Sequence, residues 1–288
     1  MIVDKNTVAL VTGASRGVGK GIALALADAG ATIYITGRSV SDGQSSLPGT
    51  IFKTVEEINA RGGKGVAMAC DHRSDEQVQA VFDKIETDHG KLDILVNNVF
   101  VVPDDLMEYA PFWEKKTSYW DDMIDVGLRA HYISSVFAAK MMVKAKSGLI
   151  VNISSFGSRC YIHTPVYGVS KAGVDKMAHD MAKDLKEYNV ACVSLWLGIV
   201  KTERTTTAMD KDPATYEYLK PGIESPEYPG RIIIALLKAG QIMEKTGKTY
   251  VTAELGEELN VLDVDGKIPT SYAPMMGSPA QPSDVMVT

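Results

Sequence analysis

Thr7-Val8-Ala9-Leu10-Val11-Thr12-Gly13-Ala14-Ser15-Arg16-Gly17-Val18-Gly19 is the stretch that decides how this chain folds. A short apolar, β-rich run passes into a turn holding Gly13, Gly17 and Gly19, and an apolar periodic stretch follows from Ile22 to Ala29. That order predicts strand, glycine turn, helix. Glycine in such a turn permits a tight reversal and lets a pyrophosphate approach the backbone. The helix N-terminus then supplies N–H groups and positive potential. The spacing is not Gly-x-Gly-x-x-Gly.

Working outward, the same unit recurs. Ala31 to Thr36, Gly65 to Cys70 and Leu92 to Asn97 read as strands, separated by helices at Thr50 to Arg61 and Ser74 to His89. A long helix over Trp120 to Val143, a strand over Gly148 to Ser154, a long helix over Pro165 to Tyr188 and a strand over Val190 to Leu197 continue it. Arg231 to Ala239 and Lys248 to Thr252 complete a sheet of about seven strands. Alternation of this kind predicts an α/β, doubly wound parallel sheet with helices on both faces. No break in composition divides residues 1–288, so one domain is expected. Ser39 to Gly49 is a polar Ser/Gly insertion, expected as a surface loop. Val99 to Thr117 and Thr202 to Pro229 follow carboxyl ends of strands, where open parallel sheets bind ligands, and are expected as loops walling a pocket.

Composition narrows the function. A net charge of −6 over 288 residues argues against a broad nucleic-acid surface. Cys70, Cys160 and Cys192 are odd in number and widely spaced, which suits a reducing compartment and offers no zinc spacing, so no metal is expected. With no long apolar run and no signal-like N-terminus, the expectation is a cytoplasmic protein that does not span a membrane.

Tyr167-Gly168-Val169-Ser170-Lys171 places a phenol and an ammonium one turn apart on a helix face. A free phenol titrates near pH ~10, and a neighbouring ammonium would lower that value towards neutrality. Alone, the pair is common on surface helices. Taken with the glycine turn, with Asn97-Asn98 after the fourth strand and with Ser154-Ser155 after the fifth, it resembles the short-chain dehydrogenase/reductase family from about Thr7 to Thr202. The runs Trp120 to Tyr132, Val193 to Glu203 and Asp263 to Gly266 fit a branch of that family as well.

The resemblance implies an oxidoreductase that transfers a hydride between a nicotinamide dinucleotide and a carbonyl or secondary alcohol. Tyr167 would be the acid and base, and Lys171 would lower its pKa and hold the nicotinamide ribose. A serine would bind the substrate oxygen. Aligning the strand favours Ser155, while counting back thirteen residues from Tyr167 gives Ser154; Ser155 is preferred. Gly13, Ser15, Arg16, Gly17, Val18 and Gly19 would form the phosphate turn, Asp71 would contact the adenine, Asn97 the adenosine ribose, and Thr202 the carboxamide or phosphate. NADP(H) is favoured over NAD(H), because the second strand ends Thr36-Gly37-Arg38 without a carboxylate, and Arg16 and Arg38 together could fork a 2′-phosphate. A steroid-like, lipid-derived or xenobiotic ketone suits the aromatic loops, and assembly as a homodimer or homotetramer through the two long helices is implied.

Three positions depart from the family pattern: Val99-Phe100 where Ala-Gly is usual, Leu197-Gly198 for Pro-Gly, and Gly127 where a fourth catalytic residue, asparagine, is expected. They motivate an alternative, an NADP(H)-binding regulator with weak or no turnover. His131 is expected to be packed or partner-facing, and His163 to lie near the pocket.

Overall fold

In the computed structural model, which describes residues 1–287, the first strand, β1 (Val8–Val11), is buried along its whole length. Ala9 and Val11 face one hydrophobic layer, and Val8 and Leu10 face the other. A strand apolar on both sides must be covered on both sides. It is joined by β2 (Thr32–Gly37), β3 (Lys64–Ala69), β4 (Ile94–Asn97), β5 (Gly148–Ser155), β6 (Val190–Leu197) and β7 (Thr249–Val251). The sheet has seven strands in the order β3-β2-β1-β4-β5-β6-β7, all paired in parallel.

The main helices are α1 (Gly17–Asp28), α2 (Ile51–Ala60), α3 (Asp75–His89), α4 (Ala130–Ala145), α5 (Pro165–Leu185), α6 (Glu203–Lys211) and α7 (Tyr228–Lys238). Ile22, Ile58 and Ile232 carry α1, α2 and α7 onto one face. Phe82, Met142 and Ala178 carry α3, α4 and α5 onto the other. Hydroxyl caps start several of them: Thr50 accepts from the Lys53 amide, Ser74 from Gln77 and Thr164 from Tyr167. Among the described residues no helix is long and apolar enough to cross a membrane.

Two expectations need correction. The chain from Trp120 is helical, but Asp121–Arg129 winds as a π-helix before α4 begins. In those wide turns the Ser170 hydroxyl donates to the Met123 carbonyl at 3.0 Å. Thr202 to Pro229 is also not a plain loop. Thr202 caps α6, Glu217–Gly222 forms a 3-10 turn, and Ile223–Glu224 pairs in parallel with Ile199–Val200 before α7 starts. Since α6 buries none of its residues, it leaves no apolar stripe for a sequence pattern to show.

The small second sheet holds a buried acid. Glu224 is fully buried, and one of its oxygens accepts from the Gly198 amide at 2.8 Å and from the Thr252 hydroxyl. Burial raises its pKa from 4.5 to about 7. The folded chain therefore keeps a proton that the unfolded chain releases, so this contribution to stability is full below pH 4.5 and is lost as pH rises through about 7. Urea unfolding between about pH 5 and about pH 8 should show the wild type losing up to about 3 kcal/mol that Glu224→Gln retains. Equal pH slopes in the two proteins would exclude Glu224 as the source.

Candidate active site and dinucleotide cleft

β1 and β4 lie side by side, and the chain leaves them towards opposite faces of the sheet, which opens a crevice beyond their carboxyl ends. Thr12 and Asn98 close its floor. The Asn98 carboxamide donates to the carbonyls of Thr12 and Gly13 at 2.9 and 3.1 Å, and the Thr12 hydroxyl accepts from the amides of Asn98 and Val99 at 2.9 and 3.1 Å. Gly13 has φ +68°, and a Cβ there would stand 2.8 Å from Val99 Cα. A Cβ on Gly19 would stand 2.4 Å from the Asn98 carboxamide nitrogen. Only glycine fits either position without displacing backbone or clasp.

A cavity of about 620 Å³ occupies the crevice. Gly13, Ser15, Arg16, Gly17, Val18 and Gly19 line it, as do Arg38, Asp71 and Thr202. Asn97 does not reach it. Side chains alternate along a strand, so Asn97 points into the core, where its carboxamide donates to Ser135 Oγ at 2.9 Å and Asn152 Oδ1 at 2.8 Å. Its neighbour Asn98 lines the cavity instead. His72, Glu203 and Arg204 also line it without any motif that marks them in the sequence. The Ser39 to Gly49 insertion is a surface loop, as expected, and Ser39 and Gln44 to Leu47 also line the cavity. Arg16 holds it there, donating from Nε to the Pro48 carbonyl at 2.8 Å and from Nη2 to the Gly49 carbonyl at 2.8 Å and Ser39 Oγ at 3.0 Å. Arg38 reaches Asp71 at 3.9 Å.

The α1 N-terminus opens onto this cavity, and its first amide, Gly17 N–H, donates to Glu203 Oε2 at 3.0 Å. A carboxylate at that point shows that the turn accepts an anion. The residues present therefore fit the phosphates of a dinucleotide.

Beyond Phe100, which lines the cavity, lie the sequence-selected serine, tyrosine and lysine. Ser155 Oγ is 2.9 Å from the Tyr167 hydroxyl and accepts from the Gly157 amide at 3.1 Å, which fixes its rotamer. Ser154 turns into the core and donates to the Lys171 carbonyl at 3.3 Å. Lys171 is buried, with Nζ donating to the Ile153 carbonyl at 3.3 Å and 4.6 Å from the centre of the Phe100 ring. Burial lowers its pKa to about 8, opposed by Asp175. Asp175 accepts from the Ser194 hydroxyl at 2.6 Å and the Trp196 indole at 2.8 Å; burial raises its pKa, and these bonds oppose the rise.

The expected lowering of the tyrosine pKa by the lysine is absent in this arrangement. Burial raises the Tyr167 pKa, with the Ser155 bond opposing, and Lys171 Nζ is bonded to the Ile153 carbonyl and not to the phenol oxygen. His131 is packed: it is buried, bonded through Nε2 to the Val99 carbonyl at 3.0 Å, and its pKa is pushed down to about 3 by burial. His163, at φ +61°, sets its ring against Tyr167 with 5.3 Å between centroids.

A dinucleotide cleft beside two hydroxyls one hydrogen bond apart is what an oxidoreductase using a nicotinamide dinucleotide needs, and fold and site together define that class. Residues 7–213 match the family model described as short chain dehydrogenase, and the chain belongs to that family. It is 38% identical to dehydrogenase/reductase SDR family member 1 of Mus musculus, over 93% of this chain and 86% of that protein. The Homo sapiens protein of the same name is 39% identical over 92% of this chain and 85% of its own length. A solved short-chain type dehydrogenase/reductase from Mycobacterium marinum superposes with a TM-score of 0.74 at 26% identity, covering 87% of this chain and 95% of that one. Membership implies a nicotinamide cofactor.

Glu203 competes with any ligand for the Gly17 amide. Glu203→Ala should therefore bind inorganic pyrophosphate about threefold to tenfold more tightly at low salt, read by calorimetric titration. Unchanged or weaker binding would show that the carboxylate does not occupy the anion position.

Proposed function

We propose that this protein moves a hydride between NADP(H) and a carbonyl or secondary alcohol, chiefly as a ketone reductase. The observation that carries the reading is the 2.9 Å contact between Ser155 Oγ and the Tyr167 hydroxyl. The bound dinucleotide would supply the hydride. Tyr167 gives its proton to the carbonyl oxygen as charge develops there, and takes it back in the reverse direction. Ser155 donates to the same oxygen and stabilises that charge. Lys171 places a positive charge behind the pair and holds the ribose, while Asp175 supports its charged state.

Local charge supports NADP(H). No carboxylate ends β2, and Arg38 follows it with only a loose 3.9 Å ion pair to Asp71. Three of the five N–H groups of Arg16 hold the insertion, so Arg38 is the better placed to receive a 2′-phosphate. Phe100, Val101 and Val102 line the cavity, and Leu106, Tyr119, Met123 and Val166 cluster around Tyr167. Such walls suit an apolar ketone, steroid-like, lipid-derived or xenobiotic. Exposed Tyr132 on α4 and Val169 on α5 support pairing of copies through those helices, as a homodimer or homotetramer. Three unpaired cysteines support a cytoplasmic setting. One observation favours the regulator reading: Phe100 stands between the cavity and Lys171.

Consumption of NADPH and NADH across ketones, diketones, quinones and steroids separates the two. A reductase should prefer NADPH and lose about 10³-fold in turnover in Tyr167→Phe while still binding the cofactor. Tight NADPH binding with no tyrosine-dependent turnover would favour the regulator. Arg38→Asp should reverse the preference towards NADH; an unchanged ratio would remove Arg38 from the 2′-phosphate site. Because Lys171 acts as a cation, kcat/KM for reduction should fall as pH rises through about 8. A profile flat through that value would deny the lysine its role.

A further inference from the structure

Phe100 and Gly127, two departures from the family pattern, touch each other. A Cβ on Gly127 would stand 2.5 Å from both Cδ2 and Cε2 of Phe100 and 3.1 Å from Ser170 Oγ. The ring therefore fills the room that a side chain at 127 would need. Bonds to the preceding residue deliver it there. The Val99 amide donates to Thr12 Oγ1 at 3.1 Å, and the Val99 carbonyl is held by His131 Nε2 at 3.0 Å. From this slot the ring centre is 4.6 Å from Lys171 Nζ, and the Tyr167 ring stands at 87° to it with centroids 5.8 Å apart.

Lys171 needs such a neighbour. An ammonium offers three donors, and the bond this one makes to the Ile153 carbonyl is long, at 3.3 Å, in a buried position. The face of an aromatic ring attracts a cation, and most strongly where water is excluded. We infer that Phe100 is a positioning residue for Lys171, its ring face holding the ammonium charged and in place, in room that only glycine at 127 can leave. The pair 100/127 thus fills the place that the resemblance gives to an asparagine at 127. The inference rests on the proposed reaction only in that Lys171 serves it. The other groups facing the ammonium are Tyr167 and Asp175, one turn either side of it on α5, the Ile153 carbonyl from β5, and His131 from α4, which burial keeps neutral.

Phe100→Leu keeps an apolar side chain and removes the ring face. In ligand-free protein carrying lysine labelled with ¹³C at Cε, the Lys171 signal is assigned by its absence in Lys171→Arg and titrated by NMR. The Lys171 pKa should fall by about one unit in Phe100→Leu, and the alkaline limb of reduction should move down with it. A rise would mean that the ring acts only by excluding water, and no change that it does not act on the ammonium; either result overturns the inference. Gly127→Asn alone should lose about tenfold or more in kcat/KM, and Phe100→Gly/Gly127→Asn should recover most of it. Losses that simply multiply would refute the interlock. The titration needs no turnover, so a shifted Lys171 in a protein inactive on every compound would remove the proposed function and leave this inference standing.

Discussion

The hydrogen bonds between Thr12 and Asn98 are what the rest of the cleft depends on. A parallel sheet collects all its carboxyl ends along one edge, but a crevice with a defined floor requires that β1 and β4 be tied where their paths diverge. The Asn98 carboxamide takes two carbonyls of the glycine turn while the Thr12 hydroxyl takes two amides of the opposite strand end. Each such bond contributes about 1 kcal/mol net, and an orphaned partner beside the fully buried Thr12 would cost about 1–3 kcal/mol. The clasp fixes the glycine turn on one side and aims Val99 and Phe100 on the other. The glycine turn and the ring that faces Lys171 are therefore positioned by the same few bonds.

Burial then sets the protonation of the site. It raises the Tyr167 pKa and lowers that of Lys171, so both groups are pushed towards their uncharged forms. For the phenol this means that the proton is retained. For the lysine the opposing influence is Asp175, whose carboxylate is fastened to β6 by Ser194 and Trp196 and stands one helical turn away. The packing of α5 on β6 and the charge of the lysine are in this way one arrangement: the bonds that anchor the helix also keep a counter-charge within reach of the site.

The strands were legible because residues buried on both faces form continuous apolar runs, and the glycine turn because only glycine satisfies its φ angles and close approaches. Ser155, Tyr167 and Lys171 came from the resemblance to the family pattern, and the end of the strand decided only the preference for Ser155 over Ser154. What the pattern did not carry has physical reasons. Asn97 and Asn98 are adjacent and chemically identical, and only the parity of the strand decides which faces the cavity. The π winding of Asp121–Arg129 uses apolar positions that also satisfy an α-helical period. The helix Glu203–Lys211 buries none of its residues and has only Ala208 and Met209 as apolar ones, so it shows no run of core positions. The four-residue spacing of Tyr167 and Lys171 brings their backbones together but leaves the long lysine chain free to turn its ammonium to Ile153.

Phe100 and Gly127 show how departures from a family pattern should be weighed. Taken one at a time in sequence, each reads as a loss: a bulky ring where the backbone should pass close to a ligand, and a missing polar side chain beside the lysine. In space they are one exchange, volume gained at 100 where it is given up at 127. Effects of residues in contact are not additive, so two such changes do not count as two independent injuries to a site. They leave the Ser155 to Tyr167 hydrogen bond intact. They also leave Lys171 with an aromatic face in place of an amide. The case for or against turnover therefore rests on what that ring does to the ammonium beneath it, and not on the number of positions at which the chain differs from its relatives.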